Sequence, residues 1–183
     1  MTTIEVLDGT RIGPFRQGIV DVYRQAFGGD PYYEEEEQVQ RFAGDTLPRH
    51  AERGAFRCVV ALDAGRAVVG FAYGYVGGPG QWWYDTVASR LGPERLRVWA
   101  RDYFEFVELA VSTPARRRGI GGALHDALLE GLPHRTALLS TWQQETPARR
   151  LYRARGWTPL LEDVLLPGAT APIVVMGRPL DRR

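Results

Sequence analysis

The sequence predicts an α/β domain, and three observations carry that prediction. Phe104 to Val111 is rich in β-branched and aromatic residues and ends at a Ser-Thr-Pro loop signal. Arg116-Arg-Arg-Gly-Ile-Gly-Gly122 follows, and Leu124, Leu128 and Leu129 then recur at helical spacing. Phe56–Leu62 and Ala67–Val76 are two further apolar runs, separated by Asp63-Ala-Gly-Arg66, and read as a hairpin.

A chain of 183 residues is long enough to bury a substantial core as one domain, residues 1–183. The formal net charge of +1 gives no pull toward nucleic acid or a membrane surface. All 23 basic residues are arginine, which excludes a lysine nucleophile or a Schiff-base lysine. Cys58 is the lone cysteine, so no internal disulfide forms. With no basic-then-apolar leader and no long apolar run, a cytoplasmic protein is the expectation. Three scattered histidines and one cysteine predict no metal site.

Thr3–Leu7 reads as a strand closed by Asp8-Gly9. Phe15, Ile19, Val22, Tyr23 and Phe27 recur at three- and four-residue steps, so Pro14–Phe27 reads as an amphipathic helix stopped by Gly28-Gly-Asp-Pro31. Tyr32-Tyr33-Glu34-Glu35-Glu36-Glu37 has two readings. It is the solvated acidic first turn of a helix running to about His50 or Arg53, or part of it lines a pocket for a cation with Tyr32 and Tyr33 as aromatic walls.

In the hairpin, alternation places Val68, Gly70, Ala72 and Gly74 on one face and Val69, Phe71, Tyr73 and Tyr75 on the other. Cys58, within its first strand, reads as a buried structural thiol. Gly77-Gly-Pro-Gly80 ends the hairpin. Gln81–Asp102 carries Trp82, Trp83 and Tyr84 and a helix over Pro93–Arg101. Tyr103–Val111 alternates Glu105, Val107, Leu109 and Val111 with Phe104, Phe106, Glu108 and Ala110. Two carboxylates in an apolar strand are unusual, and on opposite faces they predict that at least one meets a cleft. His125 reads as a surface residue of the following helix. Thr136–Thr141 is a strand, and Thr146-Pro147 opens a helix that Gly156 stops, with Leu151 and Ala154 toward the core. Trp157 begins a strand, and Val164–Leu166 and Ile173–Met176 form a last hairpin around Pro167-Gly168.

The glycine turn has chemistry of its own. Glycines permit positive φ and close backbone approach, the helix after them leaves its first N–H groups unpaired, and three guanidinium groups stand beside them. Such a turn is either an ordinary strand–helix connection or a polyphosphate site. It contains neither a P-loop lysine pattern nor the first glycine of a dinucleotide fingerprint.

Val111–Leu124 resembles the acyl-CoA pyrophosphate loop of the GNAT N-acetyltransferase superfamily, with Arg116, Gly119 and Gly121 filling Arg/Gln-x-x-Gly-x-Gly/Ala. About 30 residues downstream, Ala148-Arg-Arg-Leu-Tyr-Arg-Ala-Arg-Gly-Trp157 resembles the family's Ala-x-x-Leu-Tyr-x-x-x-Gly-Phe element. The resemblance covers residues 103–160 by motif and the earlier part by architecture. It implies an acyl-CoA N-acyltransferase fold: a mixed, mostly antiparallel sheet flanked by helices, with splayed central strands. It also marks residues 78–102 as an insertion, whose aromatics either pack it onto the sheet or form an acceptor wall of Trp82 and Trp83. Two positions depart from the pattern: Glu145 replaces a cofactor-contacting asparagine, and Pro114 lies one residue late.

The resemblance further implies acetyl-CoA as donor, held by Leu109, Ala110 and Val111, by Arg116, Arg117, Arg118, Gly119, Ile120, Gly121, Gly122 and Ala123, and by Ala148 and Tyr152. It implies Tyr152 as general acid, against the plainer reading of a half-buried helix tyrosine. Glu108 or Glu105 then serves as base, Glu105 standing at the base position of the histone-acetylating branch. The expected acceptor is a primary amine of a small molecule, with peptide or protein N-termini, or a non-catalytic acyl-CoA-binding module, as alternatives. A homodimer through the C-terminal strands rests on the resemblance alone.

Overall fold

β-Branched and aromatic residues at two-residue spacing form the strands of a seven-stranded sheet in the computed structural model, which describes residues 2–167, 169 and 171–180. The strands are β1 (Thr3–Leu7), β2 (Arg57–Leu62), β3 (Val68–Val76), β4 (Tyr103–Val111), β5 (Thr136–Trp142), β6 (Thr158–Val164) and β7 (Ile173–Pro179). Their order is β1-β2-β3-β4-β5-β7-β6. The β1–β2, β2–β3, β5–β7 and β6–β7 pairs are antiparallel, and β4 runs parallel to β5 from Tyr103↔Thr136 to Glu105↔Leu138. The helices are α1 (Arg16–Phe27), α2 (Glu36–Arg41), α3 (Leu47–Ala51), α4 (Trp82–Thr86), α5 (Gly92–Trp99), α6 (Ile120–Leu129) and α7 (Pro147–Ala154). The chain divides into two compact units, residues 1–75 with 107–130 and residues 76–106 with 131–183.

In the first unit, α1 buries Ile19, Val22, Tyr23 and Ala26 against Cys58, Val60, Phe71, Tyr73 and Tyr75 of β2 and β3. The opposite face of β3 is cut down to small residues so that α6 can approach. A Cβ on Gly70 would stand 2.9 Å from Leu124 Cδ1 and 3.3 Å from Ile120 Cγ2. The strict alternation expected along β3 fails at its start. Leu62 pairs with Val68 but Ala61 with Gly70, a bulge that turns Val68 to the α1 side, where it packs on the core and against Gly18. The helical stretch after Glu35 runs as α2, a π turn over Phe42–Thr46, and α3, ending within the predicted range. Cys58 is fully buried, and burial pushes its thiol up to about 12, as befits an inert core residue.

The second unit gathers its core from Trp83, Val87, Ala88, Leu91 and Ala100 of residues 78–102, with Tyr103, Leu138, Val164, Ile173 and Val175. The inserted segment is therefore core material; its helix occupies Gly92–Trp99 rather than Pro93–Arg101, with α4 ahead of it. Thr146 caps α7 by accepting from the Arg149 amide at 3.1 Å, and Gly156 at φ 80° ends it. Tyr152, not Ala154, is the buried residue of α7; Ala154 is exposed. One strand, β6, replaces the expected start at Trp157 and the separate Val164–Leu166 segment, since two register shifts keep it paired to β7 from Thr158 to Val164. Gly168 of the predicted loop lies outside the described residues.

Candidate active site

The glycine turn forms as its residues dictate. After β4 the chain makes a 3-10 turn at Thr113–Ala115, passes Arg117 at φ 61° and reaches Gly119 at φ 80°, the N-cap of α6. The first intrahelical bond runs from Ala123 N–H to the Gly119 carbonyl, at 3.1 Å. The amides of Ile120, Gly121 and Gly122 precede it and have no side-chain cap. Open space surrounds the Gly119 Cα, and Arg117 and Arg118 are exposed beside it. Uncapped amides, a helix dipole and two solvent-facing guanidinium groups fit a pyrophosphate. Arg116 has another task. Its Nε donates to the Val111 carbonyl at 3.3 Å and an Nη to the Ala26 carbonyl at 3.2 Å, tying the turn to the last residues of α1.

Glu108 enters from β4. Part of its surface stays open to solvent, yet the protein packed around the carboxyl strips most of its water and pushes it up to about 8; the charge of Glu34 adds to the rise, and the Leu109 amide opposes it. Glu34 itself is held by the Tyr23 phenol, which donates to Oε2 at 2.7 Å. Tyr23 stacks on Phe42 at 3.9 Å between ring centroids. Phe27 bridges Tyr23 to Tyr32, at 4.6 and 5.0 Å. The Tyr32 phenol is raised by burial and by Glu108, and lowered in part by Arg116. Tyr73, whose hydroxyl lies 3.1 Å from His50 Nδ1, is raised by burial and then by Glu108. Burial, with Arg53 and Arg49, lowers His50 to about 4, so this ring is neutral at physiological pH.

The acidic run after α1 thus splits. Glu34 joins Glu108 and the tyrosines, whereas Glu35 caps α2 in a capping box with Gln38, Glu36 pairs with Arg24 at 2.9 Å, and Glu37 pairs with Arg41 at 3.1 Å. The helix-start reading holds for Glu35, Glu36 and Glu37, whereas Glu34 turns to Tyr23 and Glu108. Tyr33 is 67 % exposed and donates to Asp30, away from this cluster. Tyr23 carried no mark beyond its place on a helix face, and nothing within the acidic run set Glu34 apart from its neighbours. The available signal was the phenol of Tyr23 on an otherwise apolar stripe, because a buried hydroxyl needs a partner.

In the second unit, Tyr152 packs edge-on against Phe106 at 5.8 Å and Trp157 at 5.9 Å, which holds its ring in one orientation. Ala148 lies one turn earlier on α7. Glu105 is 3 % exposed, more closed off than Glu108. Trp83 is 9 % exposed, lies tilted against Tyr103 at 6.1 Å and donates from Nε1 to Ser140 Oγ at 3.0 Å; it packs the core and forms no open wall. Trp82 is 60 % exposed. His125, expected at the surface, is fully buried because α6 lays this side on β1 and β2, and its Nδ1 sits 2.7 Å from Asp126. Among the described residues no group of three His, Cys, Asp or Glu could hold a metal ion, and no helix is long and apolar enough to cross a membrane.

The sequence profile of the acetyltransferase (GNAT) family matches residues 17–157. The chain belongs to that family. Members use acetyl-CoA as acetyl donor, in keeping with the turn geometry above. A GCN5-like protein acetyltransferase of Mycobacterium tuberculosis is 38 % identical over 122 residues, 62 % of this chain and 59 % of that relative, so the match spans about three-fifths of its length. Among solved structures, an aminoglycoside 6'-acetyltransferase type Ii superposes with a TM-score of 0.67 at 17 % identity, covering 99 % of each chain. The ribosomal-protein-S18-alanine N-acetyltransferase from Escherichia coli gives 0.64 at 16 % identity, covering 100 % of this chain and 96 % of its own. These likenesses show the GNAT fold, which serves small-molecule and protein acceptors alike.

Proposed function

We propose that this GNAT protein transfers an acetyl group from acetyl-CoA to the primary amine of a small molecule that arrives as its ammonium ion. The observation that carries the reading is Glu108: a carboxyl raised to about 8, beside Tyr32 and the Tyr23-held Glu34. A primary ammonium ion is drawn to the Glu34 carboxylate among aromatic rings, and its charge favours ionisation of the neighbouring Glu108. It must then lose a proton before its nitrogen attacks, and a carboxyl titrating near neutrality is matched to that task. Bound acetyl-CoA supplies the thioester carbonyl. Glu108 takes one proton from the ammonium ion, backbone N–H groups near Leu109–Val111 donate to the carbonyl oxygen as charge develops, the Tyr152 hydroxyl gives its proton to the departing sulfur, and the second proton that the attacking nitrogen sheds restores the Tyr152 phenol. Glu108 is assigned the base over Glu105 because it keeps a face to solvent. Arg117, Arg118 and the first amides of α6 hold the pyrophosphate, with Gly119 leaving room for it.

The M. tuberculosis relative is named a protein acetyltransferase, which favours a peptide or protein amine as the second reading. Thiol release from acetyl-CoA, measured against small diamines, amino acids and free peptide N-termini, separates the two. Faster turnover of the small amines supports the proposal. Turnover confined to peptides selects the second reading, and binding of acetyl-CoA without turnover of any amine rejects both.

A further inference from the structure

The second unit holds a cleft of about 390 Å³ lined by Gln143, Gln144, Arg149, Glu162, Ala171 and Pro172. Its floor is fixed. Gln143 donates from Nε2 to Asp163 Oδ1 at 2.6 Å and accepts from the Asp163 amide, while its own amide donates to the Pro172 carbonyl at 3.0 Å. Arg149 reaches into this cleft from α7 with a side chain only 14 % exposed. Its guanidinium is under-used. Among the described residues, Nε is buried with no hydrogen-bond partner, and an Nη makes a long 3.4 Å approach to Glu162. Buried donors in native proteins are nearly always satisfied, and a guanidinium offers a two-pronged edge, Nε–H beside Nη–H, that matches a carboxylate.

We propose that this cleft is a carboxylate-binding subsite in which Arg149 grips the carboxylate of the molecule whose amine is acetylated. Glu162 now holds part of that edge; its side chain is 54 % exposed and can turn into solvent when a ligand arrives. The same negative charge disfavours a doubly charged phosphate and leaves a single carboxylate as the fitting anion. Gln144, exposed at the rim, adds an amide donor, and Ala171 with Pro172 gives an apolar wall. Arg149 stands three residues before Tyr152 on α7, so the two side chains are neighbours on the helix surface. Arg149 shares α7 with Tyr152, the acid of the proposed reaction, which makes a carboxylated amine the acceptor class that uses both groups. Assigning the carboxylate to the acceptor rests on the acetyltransferase reading; its capture by Arg149 does not.

The test has two arms on the full chain. In the first, arginine Nε–H signals are followed by ¹H–¹⁵N spectroscopy, Arg149 being identified by its loss in Arg149→Lys. Titration with N-acetylglycine is expected to move this signal saturably, whereas N-acetylglycinamide leaves it in place. No movement, or equal movement with both, overturns the subsite. In the second arm, amines are compared with their α-carboxylated counterparts. The carboxylated members are expected to have at least tenfold higher kcat/KM, through KM. In Arg149→Met that ratio falls to within twofold of unity, and Arg149→Lys restores part of it. A ratio unchanged in Arg149→Met overturns the acceptor assignment. Absence of turnover with every amine tells against the acetyltransferase reading and leaves the spectroscopic arm to decide the subsite.

Discussion

The Tyr23 phenol donates a 2.7 Å hydrogen bond to Oε2 of Glu34, joining the middle of α1 to the loop that follows it. The Glu34 amide donates in turn to the Phe27 carbonyl at 2.8 Å, so the loop is anchored at backbone and side chain alike. Burial and the neighbouring carboxylates raise the Tyr23 phenol, which stays a protonated donor throughout the physiological range.

Tyr23→Phe removes this donor and keeps the ring stack on Phe42. Loss of about 1.5–3 kcal/mol of stability is expected, the usual worth of a hydrogen bond to a charged group. KM for a cationic amine should rise severalfold, with acetyl-CoA affinity unchanged. Steady-state kinetics beside a denaturant melt checks this; an unaltered amine KM speaks against a substrate role for Glu34.

Glu34→Gln should lower the Glu108 carboxyl from about 8, since the Glu34 charge helps to raise it. A base must be ionised to act, so the acid limb of kcat/KM moves to lower pH, once corrected for the amine's own ionisation. Stability has the matching sign. A carboxyl raised in the folded state binds its proton more tightly there than when unfolded, so the wild type loses stability as pH climbs from about 4.5 toward 8. Melting temperatures across that window should fall less in Glu34→Gln. An unmoved limb removes Glu34 from the neighbourhood of the base.

The strand–turn–helix stretch was legible because its signals are local. Period two ends at Val111, glycine supplies the φ of 80° at Gly119, and apolar spacing sets α6. What escaped depends on partners far along the chain. No spacing within Tyr32–Glu37 shows that Glu34 meets Tyr23 while Glu36 meets Arg24. The Val68 flip comes from a bulge across from Leu62, and His125 is buried because of the strands its helix covers.

Gly119→Val places a β-branched residue at φ 80°, for about 1–2 kcal/mol of lost stability, and obstructs the anion cradle. Gly119→Asn, which tolerates this backbone, should keep the melting temperature near wild type and still weaken acetyl-CoA binding by titration calorimetry. Wild-type affinity in both variants contradicts the phosphate role of the turn.

Tyr152→Phe leaves the edge-on contacts with Phe106 and Trp157 intact. Turnover should fall by about 10²-fold or more, within the range of general acid catalysis, with acetyl-CoA affinity and melting temperature preserved. Equal loss of binding and turnover, or no loss, rejects the acid role.

Amine-dependent thiol release from acetyl-CoA by the wild type and by Glu108→Gln, with acetyl-CoA affinity measured on both, tests the role of Glu108 as base most directly. Release matched one-to-one by acetylated amine is expected, with a drop of about 10²–10⁴-fold in Glu108→Gln and equal acetyl-CoA affinity. Release that needs no amine, or a Glu108→Gln enzyme as fast as the wild type, would contradict that role.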